Sequence, residues 1–212
     1  MTTRASAIFA IGIVAAMVLA GLLLWPQLPP VMATHWNASG AADGYSSKAF
    51  ALFLLPVIST LIATLLFLLP SIDPIARNYA AFRKEYDGLI LVILAFMALV
   101  QGMLLAWNLG ARFEMLRVIA PGIGLLFFYI GAIMPQMKRN WFAGIRTPWT
   151  LSSDKVWDET HRVGGKLFRA TGVLACLGGA FPGYALQLIF IPIVASALGT
   201  TVYSYLVFRK GA

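Results

Sequence analysis

Residues 138–168 read KRNWFAGIRTPWTLSSDKVWDETHRVGGKLF, the longest polar interval in an otherwise mostly apolar chain. Gly144 and Pro148 break helix, and a residue before proline favours extended backbone, so 140–150 reads as an irregular segment. Ser152 or Ser153 can then cap a helix, with Asp154 in its first turn complementing the dipole. Beyond the cap, Val156, Trp157, Thr160, Val163 and Gly164 share one face, while Lys155, Asp158, Glu159 and Arg162 share the other. This spacing predicts an amphipathic helix lying in a membrane interface. Gly164 and Gly165 read as a joint, and Lys166 and Arg169 mark where an apolar span begins.

Composition places that interval in a membrane protein. Of the 212 residues, 60% are hydrophobic and 11% charged, with a mean hydropathy of +0.82. A soluble domain is about half apolar and about 25% charged. The apolar residues cluster into segments of about 20, the length that crosses a hydrocarbon core of roughly 30 Å. Six spans are predicted, at 5–24, 49–69, 88–109, 118–135, 167–181 and 186–208. The fold class is therefore all-α: a polytopic membrane helix bundle of six transmembrane helices with an interfacial amphipathic helix on the cytoplasmic side. Residues 1–212 form one integral membrane domain. Residues 25–48 are an extracytoplasmic loop module, and 137–166 are a cytoplasmic signature loop with its interfacial helix. The first span follows Arg4 and lacks a clear cleavage site, so it reads as a retained helix rather than a signal peptide.

Net charge is +8. With the N-terminus inside, 13 of the 16 basic residues fall in cytoplasmic segments, leaving Lys48, Arg112 and Arg117 outside. The positive-inside rule explains that distribution without nucleic acid and puts both termini in the cytoplasm of a multi-pass cell-membrane protein. In the outer loop, Pro26, Pro29 and Pro30 oppose a helix, and Gly40, Asp43 and Gly44 form turns, predicting an ordered loop or short hairpin. In the inner loop 71–87, Tyr79, Phe82 and Tyr86 read as lipid-facing residues of a short interfacial helix.

Catalytic and metal chemistry find little support. His35 and His161 fall on opposite sides of the membrane and cannot share a metal within one chain. Asp158, Glu159 and His161 diverge on a helix, and Asp158 with Arg162 reads as an i,i+4 ion pair. The GGK of 164–166 lacks the upstream glycine and following hydroxyl of a phosphate loop. The single thiol, Cys176, sits in a span. No cofactor is implied. Ionisable groups are absent from the middle of every span, which weakens an ion-coupled transporter reading. Trp141, Trp149 and Trp157 fit an aromatic belt. Arg146, flanked by apolar residues, reads as a buried guanidinium needing acceptors: carbonyls, a carboxylate, or a ligand.

The run Asn140, Phe142, Gly144, Ile145, Arg146, Thr147, Pro148, Trp149, Thr150, Leu151, Trp157, Thr160, His161, Gly164, Gly165 and Lys166 resembles the signature of the SdpI family, bacterial membrane immunity proteins against secreted toxic peptides. Pro30, His35, Trp36, Asn37, Gly40, Asp43, Gly44 and Lys48 resemble a module of unknown function that often precedes it. The resemblance implies a non-enzymatic role: protection from a membrane-active peptide met on the outer side, with its presence relayed to a cytoplasmic transcriptional repressor. Membrane lipid is the other expected partner, and no direct nucleic-acid contact is expected. Candidate binding residues are Asn140, Gly144, Arg146, Thr147, Pro148, Trp149, Trp157 and His161 on the inner side, and His35, Asn37 and Asp43 on the outer. Alternatives are a small-solute transporter or a membrane-embedded enzyme in which Arg146, His161 and a carboxylate converge.

Overall fold

A computed structural model describes residues 2–37 and 40–211. Among these residues, five helices are long and apolar enough to cross a membrane: α1 (Thr3–Leu24), α2 (Lys48–Ile72), α3 (Arg83–Asn108), α4 (Met115–Ile133) and α7 (Ala185–Arg209). Their outward flanks expose large apolar side chains such as Ile8, Phe9, Leu61, Leu65, Leu125, Phe190 and Val202. An apolar belt of this extent is a lipid-facing surface. The outer loop forms an antiparallel hairpin of β1 (Val31–Trp36) and β2 (Ala42–Ser47), the only strands among the described residues.

The remaining long helix, α6 (Asp154–Leu177), is less apolar and is not one of those five. The predicted interfacial helix and most of the predicted fifth span are parts of it. Helix runs unbroken through Gly164 and Gly165, so these glycines are contacts and not a joint. Along α6 and just past its end, Gly165, Gly172 and Gly179 recur every seven residues, and Gly124 and Gly131 do so on α4. The two helices run antiparallel at backbone contact. A Cβ on Gly172 would stand 2.5 Å from Phe128 N and 2.6 Å from Gly124 O, and one on Gly131 2.5 Å from Arg169 N. Small residues at such spacing let helices approach where water supplies no hydrophobic drive.

Helix α7 packs on the other side of α6. Thr171 Oγ1 and Ser196 Oγ lie 2.8 Å apart across that interface, and buried Ser204 and Thr200 continue the hydroxyl row. On the other flank of the bundle, α1 and α3 run side by side, with Gln101 Nε2 donating to the Met17 carbonyl at 2.9 Å.

Residues 71–87 depart from expectation. A short 3-10 turn (Ala76–Ala81) leads into α3, and Tyr79, Phe82 and Tyr86 are buried at 2%, 0% and 1% exposure. Their rings pack on one another with centroids 5.1 to 6.3 Å apart. They are core residues rather than lipid anchors, because the signature loop covers them.

Replacing Gly172 by leucine should force α4 and α6 apart at a cost of about 1–3 kcal/mol. Leucine at Gly12, where a Cβ meets nothing within 4 Å, should not. Melting temperatures of the two variants in detergent micelles check this.

Candidate functional site

At the end of the bundle opposite the hairpin, residues 137–153 wrap around the first turns of α6. Asn140 is fully buried and organises the turn. Its Oδ1 accepts from Phe142 N–H (3.0 Å), Ala143 N–H (2.6 Å) and the Tyr79 hydroxyl (3.2 Å). Its Nδ2 donates to the carbonyls of Lys138 (3.0 Å) and Ala143 (2.9 Å). Asp73, 5% exposed, holds the same segment from the other loop: Oδ2 accepts from Trp141 N–H at 2.8 Å and Oδ1 from Ile75 N–H at 2.8 Å. Asn78 Nδ2 donates to the Arg139 carbonyl at 2.7 Å. Burial, with Tyr86 and Asp73 nearby, pushes the Tyr79 phenol well above its usual range. It therefore stays a donor.

Gly144 follows with φ of +110°, a left-handed conformation that costs most residues strain. A Cβ there would also collide with His161 Nε2. The tight approach lets Ile145 N–H donate to His161 Nε2 at 3.0 Å. Nδ1 must then carry the proton, and it donates to the Trp157 carbonyl at 2.8 Å. His161 is fully buried and stacked on Trp157 with centroids 4.0 Å apart. Burial pushes its pKa down to about 4, so the ring is neutral at physiological pH.

Trp157, also fully buried, donates from Nε1 to the Met137 carbonyl at 2.7 Å. It is a core residue and not part of an aromatic belt. Trp141 is 49% exposed, whereas Trp149 is half-buried, donates to Ser204 Oγ on α7 and packs edge-on against Tyr205.

Thr147 caps the short helix α5 (Pro148–Ser152), with Pro148 in its first turn and Thr150 completing a capping box. Thr150 Oγ1 also donates to the Ile145 carbonyl at 2.9 Å. Ser153 caps α6, its side chain accepting from Val156 N–H at 3.4 Å, as the Ser-Ser-Asp run predicts.

Arg146 does not match its reading. It is exposed, and its guanidinium donates to the Trp141 carbonyl at 2.8 Å. The loop's polar interior is already satisfied by Asn140, Asp73 and His161, so the cation is left outside. Asp158 pairs with Lys138 at 3.4 Å and Arg162 with Glu159, rather than with each other. Arg139 pairs with Asp154 at 2.7 Å. Arg146, His161 and a carboxylate therefore do not share a pocket, and the convergence that an enzyme reading required is not present among the described residues. Asp73 and Asn78 are residues the sequence reading does not single out, and Tyr79 is one it places toward lipid. The Asp-Pro pair at 73–74, a turn signal directly after a span, pointed to the first of them.

At the hairpin end, His35 Nδ1 and Asp43 Oδ1 are 2.5 Å apart on the exposed surface. His35 faces Gly44 in register, where a Cβ would stand 2.7 Å from the His35 Cβ. Asn37 Oδ1 accepts from Ala41 N–H at 3.1 Å near the turn; Ala38 and Ser39 lie outside the described residues. The hairpin is docked by Asn108 at the end of α3, which accepts from Ala33 N–H (2.8 Å) and donates to Ala33 O (3.0 Å). The inner and outer candidates thus occupy opposite ends of the bundle.

Both ends coincide with known sequence families. Residues 136–204 match the SdpI/YfhL protein family, and residues 12–60 match a domain of unknown function, DUF1648. The chain is also 28% identical, over 204 residues covering 96% of each chain, to a protein of Bacillus subtilis (strain 168) named Immunity protein SdpI. No solved structure matches the chain. With its apolar helices, this similarity marks a multi-pass membrane protein.

The His161 site carries a pH signature. The unfolded imidazole takes its proton near 6.5, the folded one only near about 4. Stability is therefore full above pH 6.5 and is lost as pH falls toward 4, by about 3 kcal/mol. Melts of wild type and His161→Gln in detergent should diverge in slope across that window; parallel curves would assign the loss to other groups.

Proposed function

We propose that this chain protects its cell from a membrane-active toxic peptide, and that it also relays the peptide's presence to a cytoplasmic repressor. The observation that carries this reading is the end-to-end similarity to an immunity protein, covering 96% of both chains. In this reading the second half of α6 crosses the cell membrane beside α4. That makes six spans and puts both termini in the cytoplasm, which agrees with the placement of the basic residues. The hairpin, with His35, Asn37 and Asp43, then faces outward and meets the peptide.

The segment bearing Asn140, Gly144, Arg146, Thr147, Pro148, Trp149, Trp157 and His161 faces inward. Buried Asn140, Trp157 and His161 shape it, while Arg146 and Trp141 are displayed to a partner. An apolar cavity of about 280 Å³ beneath Phe142, Ala143, Gly144 and Ile145 leaves this segment room for a second arrangement. A relay requires such a two-state element.

Expression in a cell sensitive to such a peptide should raise survival. Unchanged killing, with insertion confirmed, sinks the protective reading for that peptide. Asp43→Ala should lower protection at unchanged protein level, while Arg146→Ala should spare protection and abolish the transcriptional response. In a Cys176→Ala background, Tyr45→Cys should react with an impermeant thiol reagent in intact cells. Ser152→Cys should react only after permeabilisation.

A further inference from the structure

Under the hairpin lies an apolar cavity of about 350 Å³, within the range of ligand pockets. Its walls are Leu54 and Leu55 of α2, Val100 and Met103 of α3, and Leu116 and Ile119 of α4, and residues 34–37, at the end of β1 and just past it, form its lip. Leu54 is 39% exposed, so the cavity opens on the flank of the helices, the side that faces hydrocarbon.

One polar atom on this lip has no partner. The indole Nε1–H of Trp36 is buried and finds no acceptor among the described residues. A buried donor left unpaired costs about 1–3 kcal/mol, and such groups are rare in native proteins. The neighbouring polar side chain, Asn108, is engaged with both backbone groups of Ala33 and with the Leu104 carbonyl, so it does not serve. The Trp36 ring packs edge-on against Trp107 at 5.7 Å, and the Arg112 guanidinium lies over Trp107 at 4.9 Å. From the flank inward the site therefore offers an apolar slot, one unsatisfied donor at its lip, and a cation beside the same aromatic cluster.

We propose that this cavity binds a membrane phospholipid: an acyl chain fills the slot, the Trp36 indole shifts to donate its Nε1–H to the ester carbonyl, and the phosphate lies toward Arg112. Three features favour a lipid over a peptide side chain. The opening is lateral, the walls are apolar along three spans, and the donor sits where aromatic residues meet the ester region of a bilayer. His35 borders the same lip, but lipid binding here uses neither its pairing with Asp43 nor the protective role.

Full-length protein reconstituted with a diester phospholipid or its diether analogue, washed in detergent and weighed by native mass spectrometry, tests the assignment. Wild type should retain one diester lipid and hold the diether, which lacks the carbonyl, roughly fivefold less. Trp36→Phe should abolish that preference, and Val100→Phe, which narrows the slot, should lower retention of both. Equal retention of the two lipids by wild type, retention unaffected by Val100→Phe, or a peptide as the retained species would each overturn it. Should Trp36→Phe fail to fold, the wild-type lipid comparison and Val100→Phe still decide.

Discussion

The backbone contact between α4 and α6 is the constraint on which the rest of the structure depends. α6 begins with Asp154, Lys155, Asp158, Glu159 and Arg162, a poor start for a helix in an apolar bundle. What holds its second half is not apolarity but the absence of side chains. Gly124 and Gly131 face Gly165 and Gly172, so main-chain atoms of both helices are in contact and many weak dispersion contacts accumulate. The hydroxyls of Thr171 and Ser196 secure the opposite face against α7. Because α6 is one rigid rod, its charged first half is carried beyond the end of α4. There it supplies the post around which the signature loop winds.

The loop itself is a polar structure closed on itself. Asn140 satisfies five groups, Asp73 two backbone donors, and His161 one donor and one acceptor, each from a buried position. Such a network is rigid when complete and costly when any member is lost. It divides the signature residues into two groups. Asn140, Gly144, Thr147, Thr150, Trp157 and His161 determine the shape of the loop, while Arg146 and Trp141 are left on its outside. A long motif therefore need not mean a large binding surface, since much of it specifies how a small one is presented.

Much of the architecture was legible in the sequence. Five spans fall within a few residues of their predicted limits, because a long apolar run between charges has few other solutions. The cap at Ser153 and the hairpin between β1 and β2 were legible for a similar reason, since short polar residues and glycines act on their own backbone. Tyr79, Phe82, Tyr86 and Trp157 were misassigned to a lipid boundary. An aromatic ring fits equally well at a bilayer interface and in a core, where the polar atoms of Tyr79, Tyr86 and Trp157 each find a carbonyl oxygen. Arg146 was assigned to the interior because its sequence neighbours are apolar, yet Ile145 turns inward while the guanidinium turns out.

Sequence alone determined the lengths of the apolar rods, the concentration of cations at one end, and the places where the chain turns. These follow from local composition acting over one turn, one cap or one membrane thickness. Only the tertiary structure decided that the amphipathic segment and its apolar continuation are one helix, that Asp73 and Tyr79 hold a loop more than 60 residues away in the chain, and that the Trp36 indole N–H has no acceptor among the described residues. Periodicity shows which face of a helix is apolar. It does not say whether lipid or protein will cover that face, because both are equally free of water.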